Sequence, residues 1–410
     1  MEALLADLRI CVRDLARSRR RTASAASAAA FGVAALMCAA GFIDWIFLAM
    51  RDAAIHSQLG HAKVVRPGFY SAGLADPFRY LLPGTDAREF REIESVPRVQ
   101  VVAPRLSFNA LMSRGEVTVS VIGEGVMPEK EHELGRSIAI VAGHGLGADN
   151  AKEVVVGEGL AGVAGVGVGD TVVLLATTAS GGTNMVEATV AGISTSATKA
   201  FDDWAVRVPL PLAQQLLRVS GTNTWTLLLD RTDATAATVE SLRGRIPGQS
   251  FEVVPWTALA DFYNKTVALF SRQVNVVRIV IAVIIVLSIA NSMMMTVMER
   301  TGEIGTALAL GVPRSRVLRR FLMQGAILGA FGGIVGVVVG EILGSVITAV
   351  GITMPAPPGS ARGYTAGILL TPRLVVECFV LAVVTSTIAS VYPAWKASRL
   401  PIVDALRHNR

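Results

Sequence analysis

MERTGEIGTALALGVPRSRVLRRFLMQG, residues Met298 to Gly325, decides how the rest of the chain is read. It lies between two long apolar runs, Val274 to Val297 and Phe321 to Val350. Each run exceeds the roughly 20 residues that cross a hydrocarbon core at about 1.5 Å per residue. The stretch is therefore expected to be a short loop held at one membrane face. It carries Arg300, Arg314, Arg316, Arg319 and Arg320, and the positive-inside rule assigns such a loop to the cytoplasm. Within it, Gly302-Glu303-Ile304-Gly305 leads into Ala307 to Leu310, and Gly311 and Pro313 follow. This reads as a short helix with an acidic start and a glycine stop.

Composition agrees with a membrane chain. The 410 residues are 52% hydrophobic and 17% charged, with a mean hydropathy of +0.51. The net charge of +6 is not spread as a nucleic-acid patch. Its arginines and lysines flank apolar runs: Arg9, Arg13, Arg17, Arg19, Arg20 and Arg21 before the first, and Lys396, Arg399, Arg407 and Arg410 after the last. That placement serves topology and anionic lipid. The three cysteines, Cys11, Cys38 and Cys378, avoid the large polar region, so no disulfide framework is implied.

In chain order, residues 1–22 place Leu4, Leu8, Cys11 or Val12, and Leu15 on one helical face, with Asp7, Arg9, Arg13 and Asp14 on the other. An amphipathic helix at the inner interface fits this pattern, and so does a plain cytoplasmic flank. A first crossing is expected at 23–50, where Ala28 and Gly32 allow close neighbours. A cleaved signal segment ending near Cys38-Ala39-Ala40 is the alternative. Residues 51–270 are polar, with β-type runs at 99–102, 117–122, 153–156, 171–175, 188–193 and 224–229, and helical runs at 209–219 and 234–245. They form an α+β region with two expected lobes. The second crossing is 271–298, the loop 299–320, and the third crossing 321–350. A short outer loop, 351–372, contains the non-helical Met354-Pro355-Ala356-Pro357-Pro358-Gly359. The fourth crossing, 373–394, is expected to end at Tyr392-Pro393-Ala394, with a tail at 395–410. The fold class is thus four transmembrane α-helices with one large α+β extracytoplasmic domain.

The third crossing holds two glycine rows at spacing four: Gly325, Gly329, Gly333, and Gly332, Gly336, Gly340, Gly344. Residues four apart share a helix face, so each row marks a close helix contact. Asp44, Arg278, Glu341 and Glu377 fall near the outer ends of the crossings. A charge at bilayer depth costs about 2.5–3.5 kcal/mol. They either pair between helices, line the entry to an outer vestibule, or snorkel to the interface.

Other motifs lead nowhere. Gly157, Gly159 and Gly162 match a dinucleotide turn, but Gly165, Gly167 and Gly169 follow too soon for a long helix, and they read as turns. His56, His61, His132 and His144 have no partners at metal-ligand spacing. No G-x-x-x-x-G-K-[ST] phosphate loop occurs in this sequence. No catalytic, cofactor or metal site is expected.

Taken with Asp7 to Thr22, Val154 to Thr171, Arg300 to Gly311 and the closing Ala389-Ser-Val-Tyr-Pro-Ala-Trp-Lys-Ala-Ser-Arg399 and Val403-Asp-Ala-Leu-Arg407, the chain resembles the FtsX-like permeases of mechanotransmission (type VII) ABC transporters. Its layout, and Phe321-Leu-Met-Gln324-Gly325, are most similar to the Lol lipoprotein-release permeases; the Pro-rich loop departs from that pattern. The resemblance implies a MacB/Lol-like periplasmic domain and an inner-membrane location with both termini cytoplasmic. It implies a non-catalytic subunit whose ATP and Mg are bound by a separate ABC ATPase dimer gripping Glu303, Ile304, Leu308, Leu310 and Gly311. A second permease subunit, identical or homologous, and a periplasmic lipoprotein carrier would complete the assembly. The implied work is extraction of a lipoprotein or lipid toward the outer envelope. MacB-like export of a drug or peptide, and FtsX-like regulation of a cell-wall hydrolase, are the alternatives.

Overall fold

The computed structural model describes residues 2–17, 19–73, 76–147, 152–196, 198–355 and 363–401. Two compact units share the chain. A helical unit takes Met1–Phe47, Thr266–Thr353 and Thr365–Arg410, and a sheet unit takes Leu48–Lys265 and Met354–Tyr364. The Pro-rich stretch lies largely outside the described residues, as do Arg407, Arg410 and the Val403 to Arg407 motif.

The helical unit contains α1 (Glu2–Arg17) and α2 (Arg19–Ala54), whose last residues pass into the sheet unit. The sheet unit follows with α3 (Arg88–Glu94), α4 (Pro128–Leu134), α5 (Glu158–Ala164), α6 (Lys199–Asp202), α7 (Leu210–Leu217), α8 (Thr235–Arg245) and α9 (Trp256–Leu259). Then come α10 (Asp261–Glu299), α11 (Thr301–Ala309), α12 (Arg314–Val350) and α13 (Pro372–Ser398). Helices α2, α10, α12 and α13 are each long and apolar enough to cross a membrane. They outrun their apolar runs: α12 starts at Arg314, so Arg316, Arg319 and Arg320 occupy its first turns rather than a loop. Helix α13 does not stop at Tyr392-Pro393. It continues to Ser398 with Pro393 inside it, and Pro393, Ala394 and Ala397 are buried. A proline close to a helix end sacrifices one backbone bond, and here packing of small neighbours offsets that loss.

The strands are β1 (Ala62–Val65), β2 (Val99–Arg114), β3 (Val117–Val126), β4 (Ala139–Gly143), β5 (Glu153–Gly157), β6 (Thr171–Thr177), β7 (Thr183–Thr195), β8 (Ala205–Pro209), β9 (Thr224–Leu229) and β10 (Glu252–Pro255). They join in one sheet ordered β10-β1-β9-β2-β3-β8-β5-β7-β4, with β6 paired to β2 and β7. A short pair, β11 (Thr353–Met354) and β12 (Tyr364–Thr365), is separate. The two lobes share the long strand β2. One core gathers Val102, Trp225, Leu227 and Phe251 under α3 and α8. Trp225 anchors it, stacked on Phe251 at 5.5 Å and edge-on to Phe90 at 5.2 Å. The other core gathers Leu106, Phe108, Val156, Leu174 and Val206 with α5 and α7. Strands β1, β4, β8 and β10 are additions to the sequence reading. They are only four or five residues long, too short for a clear alternation.

Candidate functional site

The stretch quoted first folds as expected into a short helix, α11, joining α10 to α12. Gly311 takes φ +88°, a conformation that side chains with a Cβ rarely adopt, so the chain turns there before Pro313 caps α12. Ile304, Gly305 and Leu308 are buried. Ile304 and Leu308 join Val297 of α10 and Val317 and Phe321 of α12 in one apolar cluster. Sequence reasoning offered Leu308 to a partner's groove. The structure corrects this: positions 304 and 308 are one helical turn apart and face inward, where the apolar side chains leave water. What α11 presents outward is Glu303, Thr306, Ala309 and Leu310, the last 82% exposed.

Helix α1 provides much of that wedge. It was expected to turn Asp7 and Asp14 to water. Instead Asp7 is 3% exposed and accepts hydrogen bonds from Arg319 and, at 2.9 Å, from Arg320 Nε of α12. Burial alone would raise the Asp7 pKa, but these two arginines outweigh it and hold the carboxyl below its ordinary range. Asp14 pairs with Arg300 at 2.9 Å and accepts from Gln324 Nε2 at 3.3 Å. Arg17 reaches Glu303 at 3.7 Å, and Arg21 pairs with Glu299. Cys11, between the aspartates on the same face, is fully buried and its thiol is pushed up to about 11, so it stays neutral. The signal that could have found this latch is Asp7, Cys11 and Asp14 at i, i+4, i+7, one face of a helix. Gln324 has a physical reason too: a glutamate there would set a second carboxylate against Asp14. Behind the latch a cavity of about 10 Å³, room for about one water, is lined by Asp14, Arg21, Thr22, Ser292, Thr296 and Gln324.

The glycine rows separate by partner. Gly325 and Gly329 face α13, where an added Cβ would stand 2.4 Å and 2.6 Å from the hydroxyls of Ser390 and Ser386, and Gly333 meets Phe379. Gly332, Gly336 and Gly340 face α2, against Ala26, Ala30 and Ala34, while Gly344 meets Ile368 and Leu370. One helix thus seats two others through two adjacent glycine faces. Gly32 lies against Ile281 and Ile285 of α10. Of the four charges near the outer ends, Arg278 and Glu377 come together at 3.2 Å, and Arg373 adds a second hydrogen bond to Glu377 at 2.8 Å. Asp44 is half-buried and Glu341 is exposed, each on its own helix.

In the sheet unit, the G-x-G-x-x-G segment does follow a strand and opens α5, but the helix has seven residues. Gly157 and Gly159 are more than turns: a Cβ would meet the Asp202 carbonyl at 2.2 Å and the Asp203 carboxylate at 1.9 Å. They let α6 approach, and carboxylates in that place repel a phosphate. His56 and His61 rings are 6.3 Å apart. His61 accepts the Leu229 N–H at Nδ1, and burial lowers its pKa to about 4. Among the described residues no group of three or more His, Cys, Asp or Glu is placed to hold a metal ion. An open groove of about 550 Å³ crosses the sheet, lined by Asn109, Leu111, Ile122, Leu175, Thr177 and Trp204.

The family model described as MacB-like periplasmic core domain matches residues 22–245, and that described as FtsX-like permease C-terminal matches residues 275–402. The macrolide export ATP-binding/permease protein MacB of Syntrophobacter fumaroxidans is 28% identical over 228 residues, 52% of this chain and 28% of that protein. The lipoprotein-releasing system transmembrane protein LolC of Xylella fastidiosa is 26% identical over 333 residues, 76% of this chain and 78% of LolC. The chain therefore spans little more than a quarter of the MacB relative's length. The crystal structure of the periplasmic region of MacB from Actinobacillus actinomycetemcomitans matches 50% of this chain and 92% of that one, at 14% identity and a TM-score of 0.36. With four membrane-length helices and the two family models covering most of its residues, the chain belongs to the FtsX-like permeases with a MacB-like periplasmic core domain, multi-pass membrane components of ABC transporters.

Proposed function

We propose that this permease uses a separate ABC ATPase dimer to extract a lipoprotein or lipid from the inner membrane toward the outer envelope. The observation that carries the proposal is α11: Glu303 and Leu310 face outward, while Ile304 and Leu308 lock the helix into the rest of its unit. Force applied to such a tip moves α10 and α12 rather than bending a loop. The arginine-rich side lies in the cytoplasm by the positive-inside rule, which puts both termini there. Alignment over 78% of a lipoprotein-releasing transmembrane protein supports this cargo, whereas the export proteins are matched over 14 to 40% of their length. The groove on the sheet has no charged lining residue, which suits an amphipathic cargo or carrier. ATP and Mg belong to the partner, and a second permease subunit pairs with this one. Export of a drug or peptide is the second reading, supported by the MacB-like core domain.

The test is Glu303→Lys combined with Leu310→Asp. Both side chains are exposed, so the fold is retained. The expected result is loss of ATPase copurification and at least tenfold slower ATP-driven release of a triacylated reporter from proteoliposomes. Unchanged copurification and release would overturn the proposal.

A further inference from the structure

The sheet unit contains a buried charged cluster that the reading above leaves without a task. Helix α2 does not end cleanly at Ala54. It continues as a π-helical turn, Ile55–Leu59, in which His56 leaves helical geometry at φ −91°, ψ 17°. A helix end leaves its last carbonyls without intrahelical partners. Two of them are taken by arginines from the sheet. Arg207 Nη2 donates to the Ser57 carbonyl at 3.2 Å, and Arg105 Nη1 to the Gln58 carbonyl at 3.0 Å.

These arginines are themselves fixed. Arg105, fully buried, makes a two-pronged pair with Glu131 of α4, Nε at 2.7 Å and Nη2 at 2.8 Å, and reaches Glu124 at 3.2 Å. Arg207 stands 3.0 Å from Glu124 and 3.6 Å from Glu131. Strand register explains the grouping. Arg207 on β8 is directly opposite Glu124 on β3, and Arg105 on β2 is opposite Val126, one diagonal step from Glu124. Lys63 on β1 is coupled to the same groups through space, and burial lowers its pKa to about 8. The groups that face the carbonyl end of the helix are the guanidinium N–H donors, which is the favourable sign. Around the cluster runs an apolar seam of Ile55, Ala103, Leu134, Leu228, Trp256 and Ala260, so the start of the return path toward α10 is fastened beside it.

A buried ion network is a poor substitute for apolar packing where stability alone is concerned. What it adds is direction: planar guanidinium forks hold carbonyl oxygens at fixed positions. We propose that Arg105 and Arg207 form a clasp that fixes the end of the first apolar helix to the sheet, so that segment 48–59 and the sheet move as one rigid body. That the clasp carries force rests on the permease reading; that it is rigid does not.

The experiment uses the full chain in nanodiscs, with Cys11, Cys38 and Cys378 replaced by alanine and nitroxides on Ala49→Cys and Gln249→Cys, both exposed positions of the sheet unit. Pulsed electron resonance should give one narrow distance distribution. Arg207→Lys, which keeps the charge but not the fork, should broaden it at least twofold. Arg105→Gln with Glu131→Gln, which preserves the net charge of the cluster, should do the same. Thermal unfolding measured in parallel identifies any variant that fails to fold. Folded variants with an unchanged width, or a broad distribution in the parent, would overturn the clasp. An unchanged narrow distribution together with no ATP-driven release of the triacylated reporter by the parent and its ATPase would strike the permease reading and leave the rigidity result standing.

Discussion

The helical unit and the sheet unit solve the same packing problem with opposite materials. In the sheet unit, Trp225, Phe90, Phe251, Leu106 and Met112 are buried, and Arg105, Arg207, Glu124 and Glu131 are taken inside together as a paired cluster. In the helical unit, the tight contacts are made by Gly325, Gly329, Gly332, Gly336 and Gly340 against alanine and serine, and Asp7 pairs with arginines in the first turns of α12. The difference follows from the surroundings. Water drives large apolar side chains together, whereas lipid is as apolar as leucine and rewards only close fit.

The comparison breaks most sharply at Gly336. A Cβ there would stand 2.6 Å from the Ala30 carbonyl, so Gly336→Leu must separate α12 from α2. Overpacking of this kind costs about 1–3 kcal/mol, and this contact is with backbone, at the upper end of that range. The unfolding midpoint of the purified permease should fall steeply, while exposed Val338→Leu leaves it in place. Equal midpoints would show that this face meets lipid.

Next in size is a pH effect confined to the sheet unit. His61 is buried neutral, with its pKa lowered from the ordinary 6.5 to about 4. A depressed pKa means that the unfolded chain binds the proton first. The stabilisation is complete above pH 6.5 and is lost as pH falls through about 4, on the order of 3 kcal/mol in all. Proteolytic susceptibility of the sheet unit should rise across that window. His61→Gln should flatten the profile, and a flattening absent from the variant would remove His61 as the cause.

A smaller effect is expected at the latch. Asp7→Asn weakens two charged hydrogen bonds whose arginines are partly in water, about 1–2 kcal/mol. Trypsin should then cut within α1 several times faster, with no change in the sheet unit. Smallest is Arg231→Ala. Its pair with Asp233 is wholly at the surface, and no shift in midpoint should be measurable.

Several of these residues could be read from the chain and others could not. The glycine rows were visible because a spacing of four survives any tertiary detail, but not that the two rows serve different helices: Gly329 and Gly332 differ by a rotation that only their neighbours reveal. The short helix α11 was visible from its acidic start and Gly311. Its inward face was misassigned, although Ile304 and Leu308 carried the turn spacing that gives it away. Asp7 and Asp14 were assigned to solvent because charge usually marks an exposed face. Their arginines, Arg320 for Asp7 and Arg300 for Asp14, lie far along the sequence, beyond any local pattern.

By itself, then, the sequence determined what depends on local period and bulk polarity: four membrane-length apolar helices, a mixed α+β insertion after the first, and an arginine-rich turn between the second and third. Those properties are sums over neighbouring residues, and the chain carries them wherever it goes. Only tertiary structure decided which charges are neutralised and by whom. Arg105 and Arg207 look like ordinary strand arginines until β2, β3 and β8 come into register and α4 brings Glu131 over them. The free energy of a buried charge depends on partners a few ångströms away in space, and no distance along the chain encodes that.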